Sequence, residues 1–210
     1  MFHSLSNKGG FTLTELLVAM ALSGVVMASI GYMYYTQQKS YLAQEQLAAA
    51  QQNLRSAMYF MERDIRMAGC DPTEKSNAGI GTAGTNTIAF TSDLNGDTDT
   101  WDTNESVSYS LADNDGDGDN DLLRNGNLIA ENIDALDFVY LDINSNPTGV
   151  MNDIRTVQVS VVAKTGRADP GYTDTRIYTN QRGQTILGAQ NDRFRRKQLD
   201  ATIKLRNTNQ

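Results

Sequence analysis

Residues 16–38 carry no formal charge at all. A run of about 20 apolar residues is what a helix needs to cross a bilayer, so this stretch must lie in lipid, be packed against other apolar helices, or both. It is entered through Gly9-Gly10-Phe11-Thr12-Leu13-Thr14-Glu15, and that order suggests a cut after Gly10. Glu15 is the lone acid at the mouth of the run. A carboxylate near a bilayer centre costs roughly 2.5 to 3.5 kcal/mol and therefore calls for a partner. If the chain is cut between Gly10 and Phe11, the new amine lies four residues from Glu15. In helices packed side by side with an axial offset, the amine of one copy can then neutralise Glu15 of the next, which fixes register. An ordinary secretory signal would need an apolar core of about 7 to 15 residues before a small-residue site. Ala28-Ser29 could mimic such a site, but the run is too long and begins with an acid.

These residues resemble the type IV prepilin family, whose signature is glycine before the cut, phenylalanine after it and glutamate as the fifth residue of the mature chain. Gly10, Phe11 and Glu15 match it. Further segments resemble the PilW-type minor pilins, a group related to the J-type pseudopilins of type II secretion. They are Glu62-Arg63-Asp64-Ile65-Arg66-Met67-Ala68-Gly69, Ala130-Glu131-Asn132-Ile133, and the end from Phe194-Arg195-Arg196-Lys197 to Lys204-Leu205-Arg206-Asn207.

The 210 residues leave room for one domain beyond the N-terminal helix. The formal charge of -7 argues against a duplex nucleic-acid surface as the main partner. Cys70 is the only cysteine, so no internal disulfide can form. The single histidine, His3, lies in the leader. The mature chain therefore has no histidine for a catalytic triad or a metal, and no enzymatic activity is expected.

In order, residues 1–10 read as a short leader in which Lys8 favours an N-in, C-out orientation. Residues 11–38 read as the spanning and filament-core helix, with small residues that permit close helix approach and tyrosines 32, 34 and 35 as an interfacial belt. Residues 39–69 read as an amphipathic continuation. Leu47, Ala50, Leu54, Met58, Met61, Ile65 and Ala68 form its apolar stripe, and Gly69 with Asp71-Pro72 stops it. Residues 70–210 read as a periplasmic β-rich head. Residues 73–84 are expected to be a loop, followed by strands at 87–91, 106–111, 122–130, 136–142, 156–164, 175–179 and 201–206, with a tight hairpin at Asn125-Gly126. The expected class is α+β, a pilin-like long N-terminal helix packed on an antiparallel sheet.

Two clusters in the head suggest a hard cation. Asp113-Asn114-Asp115-Gly116-Asp117-Gly118-Asp119-Asn120-Asp121 resembles the front of a calcium loop, with Asp113, Asp115 and Asp117 converging and Gly118 at the sharp turn. The twelfth position is Arg124 rather than a bidentate Glu, which excludes an EF-hand; Asp119, Asp121, backbone or water must complete the shell. Asp93, Asn95, Asp97 and Asp99 repeat the alternation with Thr98 where glycine would stand. No lysine or arginine occurs from 93 to 121, so the block must be solvated or neutralised. The basic run Arg193, Arg195, Arg196 and Lys197 reads as a solvated edge before the last strand, with contact to an acidic neighbour as the alternative.

The resemblance implies removal of the leader by a prepilin peptidase, methylation of Phe11, and residence in the inner membrane. It further implies incorporation with other minor and major pilins, through an inner-membrane assembly platform, into a complex that primes a pilus and ends at its tip, where a tip adhesin is a further implied partner. The rival readings are a minor pseudopilin of type II secretion and a membrane-anchored calcium-binding adhesin.

Overall fold

The computed structural model describes residues 10–206. The expected leader, with His3 and Lys8, lies outside the described residues apart from Gly10, and so does Asn207 at the other end. The chain divides between Gln44 and Glu45 into two compact units. Helix α1 (Leu13–Met67) is continuous through both.

In the first unit α1 is long and apolar enough to cross a bilayer. Leu16, Val18, Leu22, Val26 and Ile30 are all exposed. The hydroxyls that interrupt this surface are satisfied within the helix, Ser23 donating to the carbonyl of Ala19 at 2.7 Å and Ser29 to that of Val25 at 2.8 Å. In hydrocarbon every polar group needs such an internal partner.

The second unit is built on residues 45–67 of α1. The apolar stripe buries Ala50, Leu54, Ala57, Met58, Met61 and Ile65, while Leu47 is only half-buried. The helix ends where its signals place it. The Ala68 amide bonds the Ile65 carbonyl at 3.1 Å, the Cys70 amide bonds that of Met67 at 3.0 Å, and Gly69 takes φ +71°, a left-handed value that costs glycine nothing.

Three antiparallel sheets follow, where the sequence suggests one. The first is a meander of β1 (Ile80–Ala83), β2 (Ile88–Thr91), β3 (Ser106–Ala112), β4 (Asp121–Arg124) and β5 (Asn127–Ala130), each strand pairing with the next. The second comprises β6 (Ile133–Leu141), β7 (Thr156–Lys164) and β10 (Arg196–Lys204), with β7 central. The third is the small pair β8 (Tyr178–Thr179) and β9 (Thr185–Leu187). A 3-10 turn at Met151–Asp153 precedes β7. Leu54, Met58, Met61 and Ile65 share one core with Ile88, Phe90, Val107 and Leu122 of the first sheet and Phe138, Val157, Val159, Val161 and Ile203 of the second. On the other face of the second sheet Val162 and Ala135 pack with Tyr178. With both faces covered, β7 buries Val157, Val159 and Val161 on one side and Val162 on the other.

The hairpin at Asn125-Gly126 forms with φ +51° and +77°, the left-handed pair that a two-residue turn demands. Elsewhere the boundaries move. Residues 80–83, expected within a loop, form β1 because β2 offers it an edge. The expected strand at 175–179 shrinks to Tyr178–Thr179. The last strand begins at Arg196 rather than 201, which takes Arg196 and Lys197 of the basic run into a sheet.

Candidate functional site

At the N-terminal end, Phe11 is 91% exposed and α1 starts two residues later. Glu15 has a partner within its own chain. Its Oε2 accepts bonds from the Thr12 amide and the Thr12 hydroxyl, both at 2.8 Å, while the Glu15 amide donates to the Thr12 hydroxyl at 3.3 Å. This is a reciprocal capping box that satisfies amides left open at a helix start. Its signature, threonine followed three residues later by glutamate, is visible in the sequence, but the search for a partner in another copy passes over it. Gly10, Phe11, Thr12 and Glu15 thus lie together ahead of the uncharged stretch 16–38 of α1, and a carboxylate there also complements the helix dipole.

The two acidic loops share one backbone plan. In residues 113–119 the Asp113 carboxylate accepts the Gly116 amide at 2.7 Å and the Gly118 amide at 3.1 Å; Asp115 accepts the Asp117 amide and Asp117 the Asp119 amide. In residues 93–99 Asp93 accepts the Gly96 amide at 2.6 Å and the Thr98 amide at 3.1 Å, Asn95 accepts that of Asp97, and Asp97 that of Asp99. Positive φ falls at the same places, Gly116 (+80°) and Gly118 (+91°) against Gly96 (+78°) and Thr98 (+81°). A β-branched residue is strained there, so Thr98 occupies a glycine position without the glycine.

Their donor sets differ. Asp113, Asp115 and Asp117 are exposed and each brings a carboxylate oxygen within 4.8 Å of the others. Asp119 turns away to the Lys164 ammonium. Asp121 is buried, accepting the Asn132 amide at 3.2 Å and the Asn114 amide at 3.3 Å. In the other loop the grouped carboxylates are Asp97, Asp99 and Glu105. Asp93 is fully buried and closes the turn, and the Asn95 amide nitrogen donates to Asp97 and to Asp102. Glu105 is also buried, holding the Leu94 amide at 2.8 Å and that of Asp102 at 3.3 Å. Sequence reasoning missed Glu105 because it sits at the threshold of β3, twelve residues beyond Asp93. Arg124, at the twelfth position of the 113 loop, instead bonds Asp64 at 2.6 Å.

Two buried charge groups also escaped the sequence reading. Asp64, inside the apolar face of α1, accepts the Tyr109 hydroxyl at 2.8 Å as well as Arg124. Burial and the neighbouring Asp64 carboxylate push the Tyr109 hydroxyl up. Arg196, expected to be solvated, is 3% exposed and bonds Asp134, Asp174 and Asp192. The bond from Arg196 holds the Asp192 carboxyl below its ordinary range. Burial opposes ionisation of Asp174, but bonds from Arg176 and Tyr178 outweigh it and hold that carboxyl at about 2. Cys70 is half-buried, and burial together with the nearby Asp93 and Asp71 carboxylates raises its thiol, the opposite of an activated cysteine.

The chain is similar to known proteins in both parts. Residues 5–31 match the prokaryotic N-terminal methylation motif, and residues 43–175 match prepilin peptidase-dependent protein B. No curated protein sequence matches the chain. Among solved structures it is similar to a type IV-like pilin from Thermus thermophilus, with 13% identity and a TM-score of 0.48, over 75% of this chain and 97% of that one. The match over residues 43–175 spans more than half of the chain, which therefore belongs to the family of prepilin peptidase-dependent protein B.

Proposed function

We propose that this prepilin peptidase-dependent, pilin-like protein is a minor pilin of a type IV pilus. The observation that carries the reading is the capped start of α1 beside Phe11, followed by its uncharged stretch 16–38, within the matched methylation motif. In this reading the peptidase cuts between Gly10 and Phe11 and methylates Phe11, and the protein waits in the inner membrane with its N-terminus in and its head out. The amine of Phe11 and the Glu15 carboxylate set axial register against neighbouring minor and major pilins as the assembly platform lifts the subunit. The complex primes the filament and remains at its tip, where an adhesin can join it. The role is assembly rather than catalysis.

The loops add a cation to this reading. Asp113, Asp115 and Asp117 offer hard oxygen ligands close enough for one calcium ion, and Asp97, Asp99 and Glu105 offer a second set. Calcium would supply charge neutralisation and hold each loop rigid.

Intact mass and N-terminal sequencing of the protein from native membranes, with and without the prepilin peptidase, test the reading. The expected product begins at methylated Phe11 only when the peptidase is present, and Glu15→Ala leaves a stable protein without filaments. An uncut chain, or normal piliation by Glu15→Ala, would leave a membrane-anchored adhesin instead. Filament-linked secretion without a surface pilus would move the protein to type II secretion.

A further inference from the structure

Opposite its buried stripe, the second half of α1 carries an exposed basic and aromatic surface on this acidic protein. Arg55, Tyr59 and Arg66 follow one another at helical spacing and all are exposed, Tyr59 by 63%. Tyr59 meets Phe60 edge to face, with ring centroids 6.0 Å apart, and the Arg63 guanidinium lies 5.9 Å from the Phe60 ring. A shallow groove of about 290 Å³ opens there, bordered by Tyr59, Arg63, Arg66 and Arg206, with Glu62 as the one acid in its lining. Tyrosine, phenylalanine and arginine are the residues enriched where proteins dock.

The chain also carries the complementary surface. Trp101 is 89% exposed on the loop between β2 and β3. Asp97, Asp99 and Asp102 surround it in sequence and are exposed as well. An exposed tryptophan set among carboxylates matches an exposed tyrosine set among arginines in both charge and aromatic character. Such complementarity gives orientation and selectivity, and arginine on an indole face adds a cation–π contact.

We propose that the loop 93–105 of one copy docks, through Trp101, on the α1 face around Tyr59 of a second copy. Because the two surfaces differ, the contact either closes a two-fold pair or propagates from copy to copy. It rests on the reading of the chain as a filament subunit, and its test separates the two.

The test places the photo-cross-linking residue benzoylphenylalanine at Trp101 of the full chain in native membranes, with a chelator keeping the loop anionic. Irradiation is expected to give a covalent dimer whose cross-linked peptide maps to residues 55–66. Combined Arg55→Glu and Arg66→Glu lowers its yield about tenfold or more, and Asp97→Lys with Asp99→Lys in the same chain restores it. All four positions are exposed, so the fold should survive, and protease resistance of the head checks this. A cross-link that is indifferent to charge reversal, that lands elsewhere on the second copy, or that reaches only other proteins overturns the docking. Absence of any adduct from a chain correctly cut at Phe11 overturns it too while leaving the pilin reading intact; an uncut chain that still forms the dimer does the reverse.

Discussion

Asp64 is the residue on which the joint between α1 and the first sheet depends. It stands on a face otherwise made of Ala57, Met58, Met61 and Ile65, and it is buried. A carboxylate survives there because it accepts Tyr109 and Arg124 at once, and Arg63 at 3.2 Å from the neighbouring position. Removing one partner of a buried pair costs more than the pair itself contributes, since the charge left behind has lost its water. Asp64→Ala strands the Arg124 guanidinium, whose side chain is 18% exposed, and leaves the buried Tyr109 hydroxyl without its acceptor. The expected loss is about 3–5 kcal/mol, read as a lower denaturant midpoint at unchanged slope for the full chain in detergent. A triple replacement of Asp64, Tyr109 and Arg124 by apolar residues of similar volume should recover most of it. A single variant as stable as the parent would show that the joint is held by packing alone.

At the scale of elements, the loop 113–121 is the part with the least reason of its own to stay ordered. It joins β3 to β4, its carboxylates bond mainly to its own amides, and Asp113, Asp115 and Asp117 face one another in the open. A cation that binds only this folded loop stabilises the chain by mass action, about 2.7 kcal/mol at a hundredfold excess over the dissociation constant. Calcium should therefore raise the melting temperature relative to chelator, and Asp115→Asn should remove most of that rise; an unchanged melting temperature would make the loop a solvated turn. How much of these elements is legible in the sequence depends on where their partners lie. The stripe on α1 and the hairpin at Asn125-Gly126 depend on residues a few positions apart, so both can be read directly. The central strand β7 can be read too, because Val157, Val159 and Val161 alternate with polar residues. The first strand cannot, since Ile-Gly-Thr-Ala has little apolar character and becomes a strand only through pairing with β2. The start of β10 is hidden for the opposite reason. Arg196 looks solvated until the fold brings Asp134 and Asp174, distant in sequence, to its guanidinium. Glu15 shows the same limit on a smaller scale, because its charge directs attention outward while its bond runs to Thr12.

For the head as a whole, that arginine joins segments far apart in sequence. Arg196 opens β10, Asp134 lies in β6, and Asp174 and Asp192 belong to the connections on either side of β8 and β9, where they also form a bridge with each other's backbone. Lys164, at the end of β7, extends the network to Asp119 and so to the acidic loop. These links exist only while the carboxylates are ionised. Asp174 titrates at about 2 in the folded head, below the 3.9 or so of an unfolded aspartate. A group whose folded value is depressed gives stability that is complete above the unfolded value and disappears as pH falls through the folded one. Stability of the head should thus hold from neutral pH to about 4 and fall between about 4 and 2, as followed by near-ultraviolet circular dichroism of its tyrosines in denaturant series at each pH. Arg196→Met sharpens the test. It removes the cation that holds the Asp192 carboxyl down, while Arg176 stays on Asp174, so Asp192 protonates more easily and the acid transition should begin at higher pH. If the onset stays where it is in the parent, the network merely fills space, and the head owes its acid sensitivity to carboxylates elsewhere.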